Sequence, residues 1–263
     1  MGWPPPVLPF QPSAASRYWR WVSAAELGPL GSNNMNPRET LFRTIDQHLR
    51  RPAVAQIGGF RPDPGLRSWF GGNFHLPDDV EWPKCGDRWM TPLLQVIPSE
   101  LPISLPMLED FDAVQIFVAD DFPIDTPTFS SPQFTVLTHK GRPLSLRDAP
   151  FEYAAPRPFQ IRWSLGSPEG PCWEEAGCFV AHDLIRDYVK ADDCFDAYYD
   201  RYSQYHLTKV GGWPAYIQGA PSVDADFILQ IASEEKPRWM IGDCGSLYFY
   251  KRESEWGMHG DCY

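Results

Sequence analysis

The sequence predicts an α+β fold: largely antiparallel β-sheets with an internal pseudo-duplication and a few packed helices. Three observations predict it. Twenty-eight prolines and twenty glycines cut helices short and favour short strands joined by turns. Short runs rich in β-branched and aromatic residues alternate with turn residues from 54 to 165 and again near the C-terminus. A Gly-Gly pair followed by similar runs in the same order occurs twice.

Taken in order, residues 1–34 include "GPLGS" at 28–32, which has the form of a scar left by a cleavable tag. They are expected to be a tag or linker arm, with Met35 a natural start and 35–263 a single domain. Asn36-Pro37 offers an N-cap and a proline at the first helical position, and Leu41, Ile45 and Leu49 recur every four residues. A helix is expected over 37–51, stopped by Pro52.

Strands are expected at "TPLLQVIP" (91–98), "DAVQIFVAD" (112–120), "QFTVLTH" (133–139) and "FQIRWSL" (159–165). A helical period returns over 179–206, with Leu184, Tyr188, Phe195, Tyr198, Tyr199 and Tyr202 on one side and Asp193, Asp196 and Asp200 on another. That stretch reads as one long helix, or as two separated near Ala191-Asp192. Two further strands follow, "DFILQIAS" (226–233) and "GSLYFYKR" (245–252).

The duplication is visible in "WFGGNFHLP" (69–77) and "KVGGWPAYIQ" (209–218). Gln95 and Phe117 follow Gly71-Gly72 in the order and rough spacing in which Gln230 and Phe249 follow Gly211-Gly212. Two related β units, roughly 55–165 and 205–263, are therefore expected to share one core, with an acidic helical insertion at about 169–204. The glycines would permit a turn or a close approach that a Cβ forbids.

The chain carries a formal net charge of −11. Between 169 and 201, Glu169, Glu174, Glu175, Asp183, Asp187, Asp192, Asp193, Asp196 and Asp200 stand against only Arg186, Lys190 and Arg201. Such a surface repels nucleic acid and anionic membranes, and it attracts basic partners. With no long apolar run and no secretory leader in "MGWPPPVLPF", a cytoplasmic protein with free thiols is expected.

Enzyme signatures are missing from the sequence: it has no P-loop, G-x-S-x-G, H-E-x-x-H or G-x-G-x-x-G. Cys172, Cys178 and His182, and His259 with Cys262, lack the short C-x2-C knuckle of a zinc site. Asp78-Asp79 and the pair Asp224 and Asp226 sit in Pro- or Gly-rich loops, where aspartate serves turns. No catalytic residue, metal or cofactor is expected.

"SWFGGNFHLPDDVEWP", "TPLLQVIPSELP", "HLTKVGGWPAYIQ", "FILQIASEE", "GDCGSLYFY" and the terminal "DCY" resemble the bacterial YwqG-like family over about 55–263. The resemblance implies an α+β fold with internal pseudo-symmetry and carries over no catalytic residue. It also implies a context, because such proteins are encoded beside secreted bacterial toxins, type VI effectors among them, and several look like immunity proteins.

The expected function is therefore that of an immunity protein that neutralises a cognate basic nuclease toxin, a DNase first of all. Its toxin-binding residues are expected to be Asp183, Asp187, Asp193, Asp196 and Asp200, with whichever of Tyr198, Tyr199 and Tyr202 is exposed as an aromatic anchor. The alternative is a small-molecule module or enzyme whose cleft lies between the two repeats and is lined by Gly71, Gly72, His75, Gly211, Gly212 and Trp213.

Overall fold

The structure, a computed structural model, describes residues 36–72, 74–122, 127–190 and 193–263. The 1–34 arm, Asp192 and the break expected at Ala191-Asp192 lie outside the described residues.

Helix α1 (Pro37–Ile45) begins where the Asn36 side chain accepts a hydrogen bond from the Arg38 amide at 3.0 Å. Its buried stripe is Leu41 and Ile45, each worth about 1.5–3 kcal/mol on leaving water. A 3₁₀ turn, Asp46–His48, ends the helical stretch three residues short of the expected 51: Leu49 is already extended and exposed, and Arg50 bridges to Glu169 as a strand residue would. Pro52 is not what stops the helix, which has ended before Leu49; it opens strand β1 (Pro52–Ile57), a position where a missing N–H is tolerated.

The chain continues through β2 (Trp69–Phe70), β3 (Phe74–Leu76), β4 (Lys84–Cys85), β5 (Arg88–Trp89), β6 (Thr91–Val96), β7 (Ala113–Val118), β8 (Thr128–Phe129), β9 (Phe134–His139), β10 (Ser145–Arg147) and β11 (Phe159–Leu165). Helices α2 (Trp173–Ala176), α3 (His182–Tyr188) and α4 (Cys194–Arg201) come next. Strands β12 (Lys209–Gly211), β13 (Asp226–Ala232), β14 (Ser246–Arg252) and β15 (Glu255–Asp261) finish the chain. The fold is α+β, mostly antiparallel sheet.

Among the described residues eleven strands form one sheet, in the order β8-β15-β14-β13-β12-β1-β11-β2-β6-β7-β9. Outward from β1 the order is β12, β13, β14, β15, and outward from β11 it is β2, β6, β7, β9. The register repeats as well. Trp69 faces Gln95 as Lys209 faces Gln230, and Gln95 faces Gln115 as Gln230 faces Tyr248. A register shift falls at Leu93 in one half and at Ile228 in the other. By this register Phe249 corresponds to Ile116 rather than to Phe117, whose counterpart is Tyr250; the match of Phe117 with Phe249 is off by one residue.

Period-two alternation divides the side chains of the sheet between its two faces. Leu94, Val96, Val114, Ile116, Leu229, Ile231, Leu247 and Phe249 belong to one large apolar core. The sheet curls around it: the ring of Phe134, on the edge strand β9, lies 6.0 Å from that of Phe249, on the third strand from the opposite edge. The alternate residues Gln95, Gln115, Gln230 and Tyr248 point to the outer face, yet all four are buried. Two outer layers cover them.

Over the first half lies a cap of Phe74, Leu76, Trp82 and Met90 packed on Phe117. Over the second half the helices form a separate core of Leu41, Ile45, Ala176, Val180, Tyr188, Tyr198 and Tyr202. The 179–206 stretch is two helices, so a single helical period does not run through it. Phe195 and Tyr199 fall on the solvent side of α4 at 48% and 44% exposure, while Tyr198 and Tyr202 are buried.

Strand β15, "EWGMHGD", was not expected from its glycines. The structure uses Gly257 for close approach: a Cβ there would lie 2.6 Å from the Phe129 ring of β8.

Candidate functional site

The twin glycine pairs come first, because they set the outer face. Gly71 and Gly72 have φ of +61° and +87°, and Gly211 and Gly212 have +69° and +72°, the left-handed region open to glycine. Each pair turns the chain off its strand and lays it across the outer face. There Gln95 Oε1 accepts the His75 amide at 2.7 Å, and Gln230 Oε1 accepts the Ala215 amide at 2.9 Å. Gln115 Nε2 donates to His75 O at 2.6 Å, and the Tyr248 hydroxyl lies 2.7 Å from Ala215 O. Buried side chains thus stand in for a neighbouring strand.

These contacts do not make the cleft expected between the repeats. A Cβ on Gly72 would lie 2.5 Å from Pro158, and one on Gly212 would lie 2.2 Å from Glu169 Oε2, so the glycines face packed chain. Gly71 sits beside Pro156 and Arg157, before β11 begins, whereas Gly211 pairs with Pro52 at the start of β1. Since β1 and β11 are antiparallel, the two pairs lie at opposite ends of the sheet's central strands, roughly 20 Å apart at the strand rise. Trp213 is buried, and His75 is half-buried with Nδ1 2.9 Å from Gln95 Nε2. The six residues are not brought together.

The halves differ in chemistry at matched positions. Where the first has Trp69, the second has Lys209, which is fully buried with Nζ 2.6 Å from Glu169 Oε1. Burial pulls this lysine down to about 8 against the attraction of Glu169. The Glu169 carboxylate also accepts the Tyr205 amide at 2.5 Å and the Trp213 amide at 2.9 Å. Trp213 in turn donates its indole N–H to His48 O at 2.9 Å and carries the Arg50 guanidinium 3.6 Å above its ring.

Beside this pair, Leu76 and Phe117 of the first half correspond to Tyr216 and Tyr250 of the second. The two hydroxyls are 2.9 Å apart. Burial holds both phenols above their usual range, and Glu175 adds to the effect on each. Burial also pushes Glu175 up to about 7, opposed by a 3.4 Å hydrogen bond from the Cys172 thiol and by the charge of Arg50. The Cys172 thiol is itself pushed up by burial and by Glu175, so it is a donor here and not a thiolate nucleophile. Glu175, Arg50, Tyr216 and Tyr250 were not singled out from the sequence. Aligning "GGNFHL" with "GGWPAY" shows the one signal, a tyrosine standing where its twin has leucine.

The acidic surface is a separate feature. Asp183 pairs with Arg186 at 2.8 Å, Asp187 with Lys190 at 2.7 Å and Asp193 with Arg38 at 2.9 Å. Asp196 and Asp200 are exposed on α4 and have no ion pair among the described residues. Of the three candidate tyrosines only Tyr199 is on the surface. The Tyr198 hydroxyl donates to Pro171 O at 2.9 Å, and the Tyr202 hydroxyl lies 2.9 Å from Phe42 O and 2.8 Å from Asp46 Oδ1. Both pin α4 to its neighbours and cannot anchor a partner.

All six cysteines are free thiols. Among the described residues no helix is long and apolar enough to cross a membrane, and no three His, Cys, Asp or Glu side chains gather as a metal site.

A family model described as a domain of unknown function (DUF1963) matches residues 68–256. No curated protein matches the chain.

Proposed function

The chain belongs to the DUF1963 family, a domain of unknown function, and from that premise we propose that it is a bacterial immunity protein of the YwqG-like kind that binds a cognate secreted toxin. The observation that carries this reading is on α4. Asp196 and Asp200, exposed and without ion pairs among the described residues, stand beside the exposed rings of Phe195 and Tyr199. Carboxylates supply steering and register, while large exposed aromatic side chains supply the desolvated contact that holds a complex.

The charge sign points to a basic partner. A nuclease must hold phosphates with lysines and arginines, so an ordered acidic face can compete for that same surface. A DNase effector, such as one delivered by a type VI system, is the partner this chemistry fits. Asp183 and Asp187, each already paired with a neighbouring cation, would contribute to the field more than to contacts.

The test is binding and protection against candidate DNase toxins, with any secreted effector whose gene lies beside this one tried first. Reversing Asp196 and Asp200 to lysine should weaken binding at least tenfold and slow association, and Tyr199→Ala should speed dissociation. Unchanged affinity and protection in the combined variant would remove α4 as the interface.

A further inference from the structure

The internal duplication supplies a control for reading the outer face, because matched positions show what the architecture needs for packing alone. Gln95 and Gln230 occupy one such position, and each uses its Oε1 to hold the chain laid across the sheet, at the His75 amide in one half and the Ala215 amide in the other. Each also donates one amide hydrogen to a matched backbone carbonyl, Arg67 O at 2.5 Å and Leu207 O at 3.2 Å. The halves differ in where the remaining hydrogen goes. Gln230 Nε2 turns it to Tyr205 O at 3.3 Å, an acceptor that never titrates, whereas Gln95 Nε2 lies 2.9 Å from Nδ1 of the His75 ring.

We propose that His75 is an acid-operated latch, whose neutral ring holds the cap of the first half on the sheet and whose protonation releases it. The orientation of the Gln95 amide is fixed by backbone groups at both its ends, since Oε1 accepts the His75 N–H and Nε2 donates to Arg67 O. His75 Nδ1 can therefore only accept, which places the single ring proton on Nε2. A second proton, on Nδ1, would set one N–H against another. Nor can Gln95 turn to meet it, because its Oε1 also takes a hydrogen from Gln115 Nε2 at 2.7 Å, and Gln115 Nε2 in turn holds His75 O at 2.6 Å. Ring, backbone and both glutamines form one unit, and it is this unit that docks β3 and, through β3, its partner β10.

The groups around the ring agree with this role. Burial holds His75 below its usual range, Arg67 from the segment before β2 adds to that, and Glu100 from the 3₁₀ turn Pro98–Glu100 opposes it. Glu100 is itself occupied by the Arg67 and Ser68 amides, at 2.7 and 3.0 Å. On β10, Leu146 stands opposite His75, and the guanidinium of the next residue, Arg147, is turned to Val80 O at 2.8 Å. From β9, His139 joins the network with Nε2 3.1 Å from Gln115 Oε1. Its Nε2 donates there whether or not the ring is charged, so its titration leaves that bond in place. The latch is independent of the α4 surface and stands whether or not the chain is an immunity protein.

The test is hydrogen exchange of the whole chain between pH 7.5 and 5, corrected for the intrinsic effect of pH, in the wild type and in His75→Asn. Asparagine places an oxygen near the position of Nδ1, so it keeps the acceptor and removes the titration. Because docking lowers the affinity of the ring for a proton, opening of β3 and β10 in the wild type should rise severalfold as pH falls below about 6.5. In His75→Asn it should stay level, while residues 213–218 behave alike in both proteins. Ring nitrogen shifts of the wild type should show the Nε2–H form at pH 7.5, and the ring should titrate together with cap opening. The proposal fails if the wild-type cap does not open further in acid, or if His75→Asn opens with the same pH dependence. It fails too if the neutral ring carries its proton on Nδ1. Should the variant not hold its cap even at pH 7.5, the wild-type titration decides, and a ring that titrates apart from cap opening overturns the latch.

Discussion

Lys209 and Glu169 form an ion pair, Nζ to Oε1 at 2.6 Å, in which neither side chain has any contact with solvent. The pair joins strand β12 to the segment just before α2, and Glu169 also holds the amides of Tyr205 and Trp213. It therefore fixes the helical layer to the sheet.

Lys209→Met should destabilise the chain by about 3–5 kcal/mol, because it leaves the Glu169 carboxylate buried and unbalanced. Adding Glu169→Gln should recover part of that loss, since it removes the unbalanced buried charge and its amide oxygen still accepts one of the two backbone N–H groups, Tyr205 on Oε1 or Trp213 on Oε2. Urea unfolding of the single and double variants measures the difference. Equal stabilities would mean that the pair contributes no coupling.

Gly212→Ala should cost far more than Gly86→Ala, although both glycines have positive φ. A Cβ on Gly212 would meet Glu169 Oε2 at 2.2 Å, whereas one on Gly86 meets nothing within 4 Å. The second change should cost only the left-handed backbone penalty of about 1–2 kcal/mol. Denaturation midpoints of the two variants provide the comparison.

Tyr198→Ala should lose about 3–5 kcal/mol of stability, as expected for a large buried aromatic, and Tyr199→Ala should lose less than about 1 kcal/mol. Only the second variant can be read cleanly in a partner-binding assay. Thermal melts of both, taken before any binding measurement, decide whether α4 has been assigned the right faces.

Stability should fall as pH drops below neutrality. Burial lowers His48, His75, His139 and His206 from 6.5, so in the acid range the unfolded chain takes up protons that the folded chain refuses. These groups impose no penalty above about 6.5, and their cost grows as pH falls through that value toward the folded ones. Glu175 acts in the opposite sense. Raised from 4.5 to about 7, it binds a proton more readily when folded, and its contribution shrinks as pH rises between those values. Glu175→Gln should therefore steepen the acid loss measured by urea unfolding from pH 7 to 5.

The strands rich in branched residues, such as "FQIRWSL" and "DFILQIAS", were legible because their composition and their place in the sheet agree. The N-cap at Asn36 was legible for the same local reason. Strand β15 was hidden because its glycines answer to Phe129, a residue far away in sequence. The faces of α4 were misread at Phe195 and Tyr199, which were grouped with the buried Tyr198 and Tyr202, because the helix buries a narrower stripe than its aromatic residues span and spacing alone does not show where that stripe ends. Glu175 was counted as surface charge, since nothing local shows that its carboxyl is withdrawn from water far enough to be pushed up to about 7.

The mirrored strand order also governs the sequence of events during synthesis. β1 leaves the ribosome early, but its partner β12 follows it by most of the chain, and the last strand, β15, closes on β8. The second half cannot complete its sheet without a strand made before the first half. Cutting the chain between the halves should yield two fragments that fold poorly alone and recover structure when mixed, and a chain stalled before residue 209 would present β1 with an open edge, an invitation to pair with a neighbour.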